Sequence, residues 1–460
     1  MQHCLSLPEI ASIICGHLED EGSFKGLSAL AQTSRTFSEP AQDAIWREIS
    51  SLKPLIRCMP EDLWRENDDE LDFDDAIQAF QRSILPTDWP RFERNAKRVR
   101  IINYLEDDEM ESEDYQMLVL AAWARSLFPA LRTPTGLEYV SDGAEIVSEA
   151  ICRFTELETL SMPSLSRSAF RHAAALPTLK TLTLHLESEV QSFLHLPSDS
   201  PHFPALRVLK VEPLLLTDCL PIIKLIYSNL RSLEIAYQDQ NNPSSDWLAV
   251  TQTIEKRFLA SSLATIQIHP YKKPPSSKPP AANRISIEHI HPLFTFHNLE
   301  SLKIEVFGEV NLGDVALEQM AKTWPKLKSL VLSDFTTSSE PRATLASLKA
   351  FALHCKNLEK LQFSFDARRH YSTETIPRVY NTSLKFLGVS RSPLRSATDV
   401  AAFLSDIFPR LQTIECPYRV DGGVDKIRDT WNRVLGLHKV FVAVRAQEAA
   451  RFAAGIPPMA

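Results

Sequence analysis

The chain has 460 residues, 44% of them hydrophobic and only 12 of them glycine, too long for one ordinary core unless it is a barrel or a repeat array. A formal net charge of −8 and a pI near 5.9 give no general reason to expect a nucleic-acid partner. The seven cysteines (Cys4, Cys15, Cys58, Cys152, Cys219, Cys355 and Cys416) show no CxxC spacing. They point to reduced thiols rather than a disulfide scaffold or a metal site.

The opening "MQHCLSLPEIASIICGHLEDEG" lacks a basic start, and Pro8, Glu9 and His17 break its apolar run, so it makes a poor signal peptide. No stretch approaches the length of apolar sequence that spans a membrane, and none is expected to. Leu7, Ile10, Ile13, Ile14 and Leu18 recur at helical spacing. Pro8 falls in the first turn, where its missing N–H costs little, and Glu9 suits the positive end of the helix. Two further apolar clusters follow: Leu27, Leu30 and Ala31, then Ala41, Ala44, Ile45 and Ile49 with Trp46. Helices this short are stable only when their stripes pack together, so residues 1–50 read as a small helical domain.

Residues 51–119 read as a linker with a helical segment and two acidic stretches, "EDLWRENDDELDFDDA" (61–76) and "EDDEMESEDY" (106–115). Between them, "WPRFERNAKRVRIINYL" (89–105) predicts a helix running into a strand. The acidic stretches have the composition of solvated loops.

From there the chain repeats itself. The unit Leu-x-x-Leu-x-Leu, with conservative apolar replacements, occurs as "LETLSM" (157–162), "LKTLTL" (179–184), "LRVLKV" (206–211), "LRSLEI" (230–235) and "LATIQI" (263–268). It returns as "LESLKI" (299–304), "LKSLVL" (327–332), "LEKLQF" (358–363), "LKFLGV" (384–389) and "LQTIEC" (411–416). Successive copies start 22 to 36 residues apart, so the strand signature repeats better than the connections do. Several connections carry a helical stripe: "DVALEQMAKTW" (314–324), "TLASLKAFALHC" (344–355) and "TDVAAFLSDIF" (398–408). One strand-plus-helix unit cannot bury its apolar face alone, so the copies must stack into a solenoid over about 120–445. A doubly wound α/β domain is disfavoured because a single motif recurs ten times. "YKKPPSSKPPAAN" (271–283) interrupts the array as a basic, proline-rich insertion. "DKIRDTWNRVLGLHKVFVAV" (425–444) reads as a closing helix and strand, and 446–460 as a fraying tail.

With the array in place, the head resembles an F-box. The matching residues are Leu7 and Pro8, then Leu27 and Leu30, then Ser34, Arg35 and Phe37, with Trp46 near the end; Glu9 departs from the family's opening by one position. A second segment, with Trp89, Arg91, Phe92, Ala96, Arg98, Val99, Arg100 and Ile102, resembles fungal F-box proteins whose repeats follow it; an ordinary amphipathic linker helix is the alternative. The fold class is then α/β: a short N-terminal helical F-box-like domain followed by an irregular leucine-rich-repeat solenoid. The resemblance implies a substrate-recognition subunit of a Skp–cullin–F-box ubiquitin ligase, with the head on the Skp adaptor and the repeats on a protein substrate; the cytoplasmic or nuclear location is the expectation set by the scattered reduced cysteines. Carried over to the adaptor face or its support are Leu7, Pro8, Ile10, Ile13, Leu18, Leu30, Ser34, Phe37 and Trp46. The alternative is a repeat scaffold whose head recruits no ligase.

No residues read as a catalytic or metal site, and no cofactor is expected. Asp68, Asp69, Glu70, Asp72, Asp74 and Asp75 lack the alternating ligands and turn glycine of a calcium loop. His289 and His291, with Glu288, have no recognised metal spacing. P-loop, dinucleotide-binding and nucleophile-elbow patterns are missing from the sequence. The sequon Asn381-Thr382-Ser383 would matter only in a secreted protein.

Overall fold

A computed structural model describes residues 7–66, 77–80, 82–103, 127–134, 144–162, 165–186, 202–239, 243–271, 284–334, 340–368, 380–416 and 424–453. Most of the two acidic stretches, the proline-rich insertion beyond Tyr271 and residues 454–460 lie outside these. The chain forms two compact units, Met1–His185 with His195–Leu206, and Leu186–Leu194 with Arg207–Ala460.

The first unit begins with three helices, α1 (Pro8–Asp20), α2 (Phe24–Thr33) and α3 (Arg35–Trp46). Pro8 starts α1, where no intrahelical N–H is needed. Gly22, at φ 68°, makes the turn into α2 in a conformation that favours glycine. Ser34 separates α2 from α3 with an extended backbone, and its Oγ accepts the Thr36 N–H at 3.3 Å, an N-cap. The core of this bundle is Ala11, Cys15, Leu27, Phe37, Ala41 and Ala44, flanked by Ile14, Leu18, Leu30, Ala31 and Ile45. Four of those six residues are small, which lets three short helices approach closely.

Directly after α3 the chain becomes a ladder of short parallel strands. These are β1 (Glu48–Ile49), β4 (Ile101–Ile102), β5 (Thr133–Pro134), β6 (Thr159–Met162) and β7 (Thr181–Leu186); between β1 and β4, β2 (Trp64–Glu66) and β3 (Ile77–Phe80) form an antiparallel pair. Ile101 N–H donates to Arg47 O, Thr133 to Arg100 O, Thr159 to Arg132 O and Thr181 to Glu158 O, at 3.0 to 3.1 Å. Three rungs thus precede the ten sequence motifs. The helix Trp89–Ala96 and strand β4 agree with the reading of 89–105. That helix buries Trp89, Phe92 and Ala96, and the Phe92 ring meets Trp89 edge-on at 5.3 Å and Phe128 at 6.4 Å.

The second unit stacks eight parallel strands: β8 (Val208–Pro213), β9 (Ser232–Tyr237), β10 (Thr265–Pro270), β12 (Ser301–Val306), β14 (Ser329–Asp334), β15 (Lys360–Gln362), β16 (Phe386–Gly388) and β17 (Thr413–Glu415). The two-residue strands β11 (Arg284–Ile285) and β13 (Glu309–Val310) pair apart from them. Every one of the ten motifs in the chain has become a strand. Register places the fourth motif residues side by side: Leu209, Leu233, Ile266, Leu302, Leu330, Leu361, Leu387 and Ile414. All eight are buried. Each buried side chain of this size contributes about 1.5–3 kcal/mol before the entropy of ordering is subtracted. Because strand side chains alternate, the fifth motif residues form a row on the opposite face: Lys210, Glu234, Gln267, Lys303, Val331, Gln362, Gly388 and Glu415. The predicted connecting helices are present as Asp314–Thr323, Leu345–His354 and Ala397–Ile407. Asn381 of the sequon is buried, donating to Cys355 O at 2.7 Å and accepting from Ser383 and Leu384.

The chain's last element differs from its sequence reading. Residues expected as a closing strand and a fraying tail belong to one helix, Val424–Ala453. Its first half buries Trp431, Val434 and His438 and packs on Ala397–Ile407. The β-branched run Val440–Val444 therefore continues a helix already anchored by packing, and Arg445 ties it to Asp406 at 2.6 Å and to Ala402 O.

Candidate functional site

Two surfaces stand out, one on the helical head and one on the strand stack. On the head, the nine predicted residues divide sharply. Leu7 is 50% and Ile13 57% exposed, and Pro8 is also exposed. Ile10 is half-buried between them. Leu18 and Leu30 are half-buried against the core, Ser34 is the N-cap of α3, and Phe37 sits inside the core. Trp46 is half-buried beside Ile45 at the end of α3. Leu7, Pro8 and Ile13 are therefore available to a partner, while Phe37 and Ser34 hold the bundle together. The sequence stripe missed that Ala11 and Cys15, not Ile13, face inward. It also missed Phe24, which opens α2 and is 54% exposed.

The head's electrostatics are quiet. Glu19 meets Arg47 at 2.8 Å, and burial lifts its carboxyl above the usual range despite that guanidinium. Burial likewise raises the Cys15 thiol, which makes it an inert core residue.

On the strand stack, the row opposite the leucines changes character along its length. Across β8, β9, β10 and β12 it is polar and partly open. Lys210 Nζ lies 2.9 Å from Glu212 and 3.8 Å from Glu234, His269 Nε2 lies 3.2 Å from Glu234, and Lys303 lies 3.1 Å from Glu305. The His269 contact, then Lys210, hold the Glu234 carboxyl below its ordinary value against burial. Burial works against the Lys210 ammonium, but Glu212 and Glu234 raise it overall. Across β14, β15 and β16 the same face is sealed. Val331, Ser333, Gln362 and Gly388 are buried, and Gln362 Nε2 donates to Ser333 Oγ at 2.7 Å. Gly388 makes this possible, since a Cβ there would stand 2.5 Å from Gln362 Cγ. At the end of β14, Asp334 accepts the Val310 N–H at 3.3 Å, and burial pushes its carboxyl up to about 6.

Cys219 and Cys355 are buried, their thiols shifted up by desolvation, Cys355 to about 12. Among the described residues no group of three His, Cys, Asp or Glu could hold a metal ion, and no helix is long and apolar enough to cross a membrane. His289 accepts from Ser286 N–H at 3.1 Å as part of a local cap, which accounts for that histidine.

Architecture defines the class: a three-helix head followed by parallel-strand repeats, a mixed α/β protein. No protein-family model matches the chain, and no curated protein does. Among solved structures it is similar to a crystal structure of an internalin, InlF, from Listeria monocytogenes, at 13% identity, covering 68% of this chain and 80% of that one with a TM-score of 0.33.

Proposed function

We propose that this chain is the substrate-recognition subunit of a Skp–cullin–F-box ubiquitin ligase in the cytoplasm or nucleus. Its head takes the Skp adaptor, and its strand stack takes a protein substrate. The observation that carries this reading is the head's division of apolar side chains. A bundle with a complete core of its own still holds Leu7 and Ile13 half or more exposed, beside Pro8. Exposed aliphatic anchors around a rigid helix supply the binding energy that a protein partner recovers when it covers them. The resemblance of Leu7–Pro8, Ser34–Arg35, Phe37 and Trp46 to the F-box names that partner.

The stack's open face across β8 to β12 supports the second half. It presents Lys210, Glu234, His269, Lys303 and Glu305 in a fixed register on rigid strands. Charges held this way select a partner by complementarity more than by raw affinity. The sealed face of β14 to β16 has no comparable chemistry to offer. The chain itself performs no catalytic step in this reading, and ubiquitin transfer belongs to the partner subunits.

Calorimetric titration of the full chain with purified Skp adaptor tests the proposal. Association is expected, and the Leu7→Ala/Pro8→Ala double variant, shown to keep its helical content, is expected to weaken it. A folded head with no association at tens of micromolar, worth only about 6 kcal/mol, rejects the ligase reading and leaves the repeat scaffold.

A further inference from the structure

A groove of about 480 Å³ lies in the first unit, between α2 and α3 on one side and the helix Trp89–Ala96 on the other. Its apolar lining comes from Ala31, Ile45 and Trp46, and its charged lip from Arg91 and Arg94. The groove is built rather than incidental. The helix Trp89–Ala96 is fixed from behind by its buried Trp89, Phe92 and Ala96. Just past its end, Arg98 pairs with Glu39 and Asp43 of α3, tying the two walls together. Asn95 Nδ2 donates to Cys58 Sγ at 3.3 Å, anchoring the helix to the chain beneath it.

The two arginines set the charge of the groove's edge. They stand three residues apart, so they share one side of the helix. Both are exposed, and neither side chain has a hydrogen bond or ion pair among the described residues. In the same unit Arg47, Arg82, Arg98 and Arg132 each meet a carboxylate. In a chain with eight more negative than positive charges, two guanidinium groups without an ion pair give the rim of this groove a positive edge.

We propose that this groove binds a short acidic segment of a partner protein. Its carboxylates would pair with Arg91 and Arg94, and an adjoining aromatic or aliphatic side chain would cover Trp46 and Ile45. Guanidinium groups suit carboxylates because their fork can be met by both oxygens at once. An indole at the floor gives the neighbouring apolar side chain a flat surface to bury. A nucleic acid fits less well, since two cations neutralise little of a phosphate backbone. The groove shares Trp46 with the residues carried over to the adaptor face or its support, whereas Arg91 and Arg94 lie outside residues 1–50, so loss of acidic-probe binding in their double variant is distinguishable from failure of the adaptor contact.

The test is fluorescence anisotropy with labelled Asp-Asp-Phe-Asp-Asp, Lys-Lys-Phe-Lys-Lys and oligothymidylate probes, titrated with the full chain. The acidic probe is expected to bind, more weakly as salt rises, and about tenfold more weakly in the Arg91→Ala/Arg94→Ala variant. Ser28→Trp, an exposed position on the groove wall, is expected to block binding with both charges intact. Unchanged melting temperatures establish that both variants are folded. No binding by the wild-type chain, equal binding by the double variant, or equal binding of either control probe overturns the proposal. A variant with Asp68, Asp69, Asp72, Asp74 and Asp75 all changed to Asn supplies the remaining outcome. If only that variant binds the acidic probe, the chain's own acidic stretch is the occupant, and the partner segment is rejected.

Discussion

The head and the second unit's strand stack use apolar side chains in opposite ways. In the stack, the fourth motif residues of all eight strands are buried, and across β8 to β12 the row on the opposite face is polar. In the head, small residues fill the middle, and Leu7, Ile13 and Phe24 are left outside. The difference follows from geometry. Strands in register place one leucine beside the next every rung, so burial is a property of the stack. Three short helices have room for a narrow core, and large side chains beyond it have nothing of their own to cover them. A partner's apolar surface suits the first region, and a charged, register-matched surface suits the second.

If the stack is where apolar burial holds the fold, Leu302→Ala should be the most damaging single change. Leu302 is fully buried mid-stack, between Ile266 and Leu330, and truncation is expected to cost about 3 kcal/mol in a denaturant titration. A cost near zero would mean the stack is loosely packed.

Protonation gives the next effect. Asp334 has a folded pKa raised from 3.8 to about 6 by burial. A carboxyl raised in this way adds stability below its unfolded value, and that contribution is lost as pH climbs through the folded one. Stability should therefore fall by roughly 2 kcal/mol between about pH 4 and pH 6.5, and Asp334→Asn should flatten that part of the profile. An unchanged slope in the variant would assign the decline to other groups.

Gly388→Ala sharpens the contrast within the stack. The added carbon must displace Gln362 and strain its bond to Ser333, at an expected cost of about 1–2 kcal/mol by thermal unfolding. The head's counterpart is Ser34→Ala, which removes the cap of α3 and is expected to cost about 1 kcal/mol. Smallest of all in stability should be Leu7→Ala with Ile13→Ala, within about 0.5 kcal/mol because both side chains are already exposed. That pair should nonetheless weaken adaptor binding, which separates a binding surface from a structural one.

Much of this fold was legible in the sequence because a repeated motif multiplies its own signal. Ten copies of one apolar pattern identified ten strands, and the stripes of Asp314–Thr323, Leu345–His354 and Ala397–Ile407 identified the helices between some of them. Strand β4 was legible at the end of the 89–105 segment, but β1 and β5 were harder. They are two residues long, carry no full motif, and are held by backbone bonds to Arg47 and Arg100 that no side-chain pattern reports. The run Val440–Val444 pointed to a strand by propensity, and packing of the preceding turns through Trp431 and His438 overrode it. On the head, large apolar residues drew attention to Ile13, whereas the close approach of helices selected Ala11 and Cys15 for the inside. Arg91 was visible only as part of a family resemblance, and Arg94 not at all. The groove they edge exists only after α2, α3 and the helix Trp89–Ala96 come together.

Hydrogen exchange on the full chain, with and without saturating Skp adaptor, tests the central claim most directly, because it reads the head and the stack in one experiment. The predicted result is slowed exchange across α1 and the start of α2, with β8, β9, β10 and β12 unchanged. Unchanged exchange in the head, or protection confined to those strands, would contradict the assignment of the head as the adaptor-binding surface.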